Sequence, residues 1–183
     1  MKTFASRHVV AVAASGLIVA FLSGGGARAV TDTIFKYSTA HTGYYDIEAA
    51  ALVPADNAAA GNYTKLFTDG YMTGTGCYLA TPHLPNGATI TALSVWYASD
   101  ASSDPIFHFV RHDLVGGSKL GIVTSAALHD DTAERVHHTF PVPPSAGKVI
   151  NSNYGYTFAF CGQRNHDWFW GARVAYTYTN AGD

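Results

Sequence analysis

Eight histidines fall between His41 and His166, and imidazole is both the commonest metal ligand and the side chain that titrates nearest neutral pH. His108 and His112 are four residues apart, a spacing that on a helix would put two ligands on one face. Here they stand in Ile106-Phe107-His108-Phe109-Val110-Arg111-His112, which follows Pro105 and is rich in strand formers. On a strand the two rings share a face but sit roughly 13 Å apart, too far to hold one metal. His137 and His138 are adjacent, so a strand sends them to opposite faces. A metal site would need the fold to gather His108, His112, Asp113, His137 or His138. No metal or other cofactor is expected.

Hydrolytic chemistry has few footholds. No Gly-x-Ser-x-Gly elbow occurs. Asp46 and Glu48 share one face of a strand and would serve glycoside cleavage only across a cleft. Gly74-Thr75-Gly76-Cys77 is a lone Gly-x-Gly inside a strand pattern. It lacks the following helix that phosphate binding uses, so a bulge or close packing is the better reading. Asp100 and Asp104 flank a serine pair without the glycine and closing glutamate of a calcium loop.

Aromatic residues are the strongest functional signal. Tyr44, Tyr45, Tyr97, Tyr154, Tyr156, Trp168, Phe169 and Trp170 lie in or beside strands. Flat rings on a sheet either fill a sandwich core or, when exposed, stack on sugars or a protein partner. The Tyr154 to Phe160 face alternates with small residues and reads as core. Arg164-Asn165-His166-Asp167-Trp168 is a polar loop ending in aromatics. Arg164, His166, Asp167, Trp168 and Trp170 are therefore the candidate ligand rim.

The elements that must position these residues begin after a leader. Lys2, Arg7 and His8 precede an apolar run from Val9 to Leu22, then Ser23-Gly24-Gly25-Gly26 and Ala27-Arg28-Ala29. This is the layout of a cleaved signal helix, residues 1–29. The run is shorter than the roughly 20 residues a spanning helix needs. A secreted or periplasmic location is expected, with residues 30–183 as one domain and no stable membrane insertion after cleavage.

Removing Lys2, Arg7 and Arg28 leaves 8 basic residues against 13 acidic ones. That balance argues against nucleic acid, which needs a basic stripe, and against electrostatic membrane association. Cys77 and Cys161 are the only cysteines. In an exported chain one such pair most simply forms one disulfide, the alternative being two free buried thiols.

From Val30 onward the chain is a string of short strands divided by Gly, Pro, Asn, Asp and Ser. The spacing predicts strands over 33–37, 44–53, 62–67, 71–81, 88–99, 106–115, 120–125 and 135–142, followed by the two clearest. Tyr154, Tyr156, Phe158 and Phe160 alternate with Gly155, Thr157, Ala159 and Cys161. Trp168, Trp170, Ala172, Val174, Tyr176 and Tyr178 alternate with Phe169, Gly171, Arg173, Ala175, Thr177 and Thr179. In the 88–99 segment Leu93, Val95 and Tyr97 face one way and Ile90, Ala92, Ser94 and Trp96 the other. Residues 130–134 read as one helical turn. The expected fold is all-β: an antiparallel two-sheet sandwich of about nine strands, in jelly-roll or Greek-key style.

Leu84-Pro85-Asn86-Gly87-Ala88-Thr89-Ile90-Thr91-Ala92-Leu93 leads into a strand and a polar Asp/Ser loop. A second strand ends in Arg111-His112-Asp113-Leu114, and Trp170-Gly171-Ala172-Arg173-Val174-Ala175-Tyr176-Thr177 closes the chain. This arrangement resembles a widespread group of uncharacterised bacterial secreted β-sandwich proteins. The resemblance implies the fold and carries over no catalytic residue. The favoured function is a non-catalytic binding or structural role, with a glycan or cell-surface protein as partner. The alternatives are a secreted glycan or ester hydrolase using acids or histidines in a sheet groove, and an oligomeric fibre or coat subunit.

Overall fold

The computed structural model describes residues 35–66, 68–100, 104–128 and 134–181. The leader, His129 and most of the helical turn expected at 130–134 lie outside them. The strands are β1 (Phe35–Glu48), β2 (Val53–Pro54), β3 (Tyr63–Leu66), β4 (Tyr71–Gly74), β5 (Gly76–Ala80), β6 (Thr89–Ala98), β7 (Ile106–Asp113), β8 (Lys119–Thr124), β9 (Val136–Pro141), β10 (Tyr154–Gly162) and β11 (Trp168–Ala181). A 3₁₀ turn, Ala49–Ala51, follows β1, and two single helical turns, α1 (Asn57–Ala60) and α2 (Pro144–Gly147), sit in connections.

One sheet has the order β3-β4-β11-β6-β9, with β1 also paired to β11; the other has the order β2-β5-β10-β7-β8. The expected two-sheet sandwich is therefore present, with eleven strands among the described residues where about nine are expected. The splitting of one expected strand and the fusion of two others each have a physical cause. Residues 71–81 read as one strand, yet β4 and β5 belong to different sheets. Gly76, at φ +111°, makes the crossing in a backbone region that glycine enters without steric cost. The Tyr78 hydroxyl secures the corner, 3.0 Å from the Thr75 carbonyl and 3.1 Å from that of Asn62. Conversely, residues 35–48 run as one long β1, which joins the described part of the strand expected at 33–37 to the first half of that expected at 44–53; the rest of the latter forms the 3₁₀ turn and the start of β2. At Gly43 a Cβ would come 2.5 Å from the Tyr176 ring, so glycine is needed there because an aromatic side chain lies across the strand.

The core sits between the sheets and is built of rings. Phe169 of β11 enters from the six-stranded sheet and lies 5.1 Å from the Phe160 centroid and 5.5 Å from that of Phe158, both on β10. Phe107 of β7 stands 6.0 Å from Phe169 and 5.3 Å from Tyr97 of β6. Phe107, Phe158, Phe160 and Phe169 are fully buried. The inner face of β10 is thus core, as its alternation indicates. Cys77 and Cys161 lie directly opposite on β5 and β10 and are joined in a disulfide.

Two irregularities set which residues reach the outer face of the six-stranded sheet. Along β11 and β6, Phe169 opposes Tyr97 and Gly171 opposes Trp96, so Trp170 is an extra residue in β11. Ala175 opposes Ala92 and Tyr176 opposes Ile90, so Thr91 is an extra residue in β6. Each bulge reverses the inside–outside phase of its strand. The period-two reading of β11 is corrected accordingly. Phe169, Ala172 and Val174 are buried, whereas Trp168 and Trp170 are not on their face. In β6 the same effect brings Ile90 to the buried side with Leu93, Val95 and Tyr97.

Candidate functional site

The outward positions of the six-stranded sheet form a grid of rings and polar groups. One row runs across β1, β11, β6 and β9. Arg173 grips Asp46 with Nε at 2.6 Å and a second guanidinium nitrogen at 2.9 Å. Arg173 opposes Ser94, and Ser94 opposes Thr139 with their hydroxyls 2.8 Å apart. The Thr139 hydroxyl lies 3.2 Å from His137 Nε2. The adjacent row is aromatic. Trp96 opposes His137, and the two rings stack at 4.7 Å and 16°. The Arg173 guanidinium lies 5.9 Å from the Trp96 ring and 5.2 Å from the Tyr44 ring. Tyr44 is 59% exposed.

A second aromatic group continues the face along β4 and the start of β11. Trp170 and Tyr71 are tilted at 55° with centroids 5.3 Å apart, and Arg135 lies over Trp170 at 5.9 Å. Trp168 stacks parallel to the His166 ring, and His166 Nδ1 meets the Asp100 carboxylate. All three tryptophans of the chain are therefore partly exposed on one sheet face. Each ring is braced by a cation or a second ring. Braced rings on strands lose little freedom when a ligand arrives, which is how a rigid recognition surface keeps its affinity.

The residues expected at a ligand rim separate. Trp168, Trp170 and His166 belong to this face. Asp167 is fully buried, and its carboxylate accepts from the backbone N–H groups of Gln163 (2.6 Å) and Arg164 (3.1 Å). It shapes the β10–β11 turn from inside. Arg164 is exposed on that turn. Neither Trp96 nor Tyr71 stands out in the sequence, although both are central to the face.

The histidines weighed as metal ligands are dispersed. His108 and His112 lie on β7 in the five-stranded sheet, whereas His137 and His138 lie on β9 in the other. Among the described residues no three His, Cys, Asp or Glu side chains gather as a metal site. Burial, with help from the Lys119 charge, holds the His108 pKa below its usual value. Asp46 and Glu48 share the outer face of β1, but both Asp46 oxygens face the Arg173 fork.

That fork makes the face sensitive to acid. The Arg173 hydrogen bonds pull the Asp46 pKa below the ordinary 3.8, against a small opposing effect of burial. A carboxylate with a depressed folded pKa stabilises the protein above its unfolded pKa, and that contribution is lost as pH falls through the folded value. Both side chains are well exposed, so solvent screening keeps the effect small. Melting wild type and Asp46→Asn between about pH 2 and pH 5 checks this. The wild type is expected to lose more stability toward acid than the variant. Parallel curves would show that the pair contributes nothing.

No family model matches the chain, and no curated protein matches it. Among solved structures, similarity extends to the C-terminal CBM6 of LamC, a marine laminarinase from Zobellia galactanivorans. The identity is 12% over 72% of this chain and 98% of that one, with a TM-score of 0.49. The structure of infectious bursal disease virus Gx strain aligns at 9% identity over 78% of this chain and 33% of that one, with a TM-score of 0.38. The Podospora anserina GH26-CBM35 β-(1,4)-mannanase aligns at 17% identity over 77% of this chain and 28% of that one, with a TM-score of 0.36.

Proposed function

We propose that this chain is an exported, non-catalytic binding module whose six-stranded sheet docks a glycan chain along its outer face. One observation carries the reading: Trp96, Trp168 and Trp170 are all turned away from a core that Phe107, Phe158, Phe160 and Phe169 already fill. Rings left partly in water at a cost in hydrophobic free energy mark a surface meant to be covered.

The chemistry between the rings favours a sugar. A pyranose presents C–H groups on its flat faces and hydroxyls around its rim. It therefore calls for π faces with hydrogen-bonding groups beside them. Trp96 and Tyr44 supply the faces, and Arg173, Asp46, Ser94, Thr139 and His137 supply adjacent donors and acceptors. Arg173 and Asp46 neutralise each other, which suits an uncharged polymer. The acidic balance of the chain after its leader opposes nucleic acid. The disulfide suits an oxidising compartment, and no helix among the described residues is long and apolar enough to cross a membrane.

Native affinity electrophoresis through gels containing β-1,3-glucan, β-1,4-glucan, β-1,4-xylan, β-1,4-mannan or β-1,4-galactan tests the proposal. Retardation in at least one gel, relieved by soluble oligosaccharide of the same linkage, is expected. Unchanged mobility in all five would remove the glycan reading.

A further inference from the structure

The face does not end flat. A pocket of about 220 Å³ opens beside Trp170, walled by Tyr71, Glu48, Ala50 and Lys65. Its position follows from the strand order. β11 pairs with β4 at Trp168 and Phe169, and Gly171 then packs against β1, where a Cβ would stand 2.9 Å from the Ile47 carbonyl. The bulged Trp170 falls where β11 exchanges β4 for β1. The pocket lies over that seam, and the bulge turns the indole into it.

We infer that this pocket is a subsite for a single neutral pyranose, the terminal residue of a glycan lying on the face. The inference rests on the binding reading above. The volume is below the roughly 300–1,000 Å³ of sites that enclose drug-sized molecules, so it accommodates one ring rather than several. Trp170 and Tyr71, packed together with centroids 5.3 Å apart and tilted at 55°, form one continuous aromatic wall for a ring to lie against. The polar walls come as one donor and one acceptor. Lys65 Nζ donates to the Ala50 carbonyl at 2.9 Å and the Leu52 carbonyl at 2.7 Å, which fixes β3 against the 3₁₀ turn. An ammonium has three protons, so one remains for a sugar hydroxyl. The exposed Glu48 carboxylate, which caps no backbone N–H of the 3₁₀ turn that follows it, accepts from another. The two charges cancel, which favours a neutral sugar over a uronic acid or an amino sugar. A chain with its terminal residue seated here runs back over the face toward Trp96.

Methyl glycosides test the pocket separately from the face, because one ring fills a terminal subsite but cannot span the grid. The probes are the methyl β-glycosides of glucose, galactose, mannose and xylose, with the heat change in titration calorimetry as readout. At least one is expected to give a saturable change in wild type. Trp170→Ala is expected to abolish the change, and Tyr71→Ala to weaken binding about tenfold, as removal of an anchoring ring does. Leu120→Ala, exposed on β8 of the opposite sheet, should retain it. Circular dichroism confirms folding, and Tyr71→Ala stands in if Trp170→Ala unfolds. If no methyl glycoside binds although a polysaccharide still retards the protein, the pocket inference fails and the binding face stands. If the response survives in Trp170→Ala and Tyr71→Ala, the pocket inference also fails. If nothing binds at any chain length, the face reading fails with it.

Discussion

Replacing both cysteines, Cys77→Ala with Cys161→Ala, is expected to lower the melting temperature by roughly 10–15 °C while leaving the low-temperature fold and its outer face intact. The bridge joins residues 84 apart in sequence. A cross-link closing a loop of that length removes about 4–5 kcal/mol of chain entropy from the unfolded state. For a chain of this size each kcal/mol moves the melting temperature by about 2–4 °C. The two strands it joins, β5 and β10, also share a five-residue backbone ladder, so the native pairing persists without it. Both lie in the sheet opposite the tryptophans, and binding measured well below the transition should be unchanged. Calorimetric scans of the double variant decide the matter. A shift under about 2 °C would mean that the unfolded chain is already constrained by other means.

Trp96→Ala is expected to weaken polysaccharide binding about 30-fold with little change in stability. Trp96 is the centre of the face, with the His137 ring stacked on it and the Arg173 guanidinium 5.9 Å from its centroid. Central aromatic anchors flanked by polar groups are where truncation costs about 2 kcal/mol or more, and each 1.4 kcal/mol is about tenfold in Kd. The ring packs outside the core, so its removal leaves no internal cavity of the kind that makes core substitutions costly. Titration calorimetry with the polysaccharide that retards the wild type provides the measurement. A loss under about threefold would place the ligand elsewhere.

Much of the architecture was legible in residue alternation, and the face was not. β10 announces itself because Tyr156, Phe158 and Phe160 keep strict phase with small partners, and the structure buries all three. The cysteine pair could be joined by compartment and count alone, and the register sets the two residues opposite. The tryptophan face was hidden by two single-residue insertions in the ladder. With Thr91 counted in phase, Ile90 falls beside Trp96, both faces of β6 look apolar, and Trp96 reads as one more interior ring. With Trp170 counted in phase, Trp168 and Trp170 join Ala172 and Val174 on the core side. A bulge leaves only a faint trace, a three-residue step between buried positions such as Ile90 to Leu93 or Phe169 to Ala172. The rest of the site depends on pairing between distant strands. Asp46 and Arg173 are 127 residues apart, and no spacing in the chain indicates that a carboxylate of β1 will meet a guanidinium of β11. The seam that forms the pocket has the same origin, since it exists only because β11 pairs with β4 and then with β1.

The most direct test uses the three indole N–H resonances, one for each tryptophan of the chain. In a ¹⁵N-labelled sample titrated with an oligosaccharide of the retarding linkage, the indole signals of Trp96 and Trp170 should shift progressively and saturate together, while backbone signals of the five-stranded sheet stay in place. Indole signals that remain fixed while residues of the opposite sheet or of the exposed β7–β8 hairpin tip, Leu114 and Val115, move instead would contradict the assignment of the tryptophan face as the binding surface.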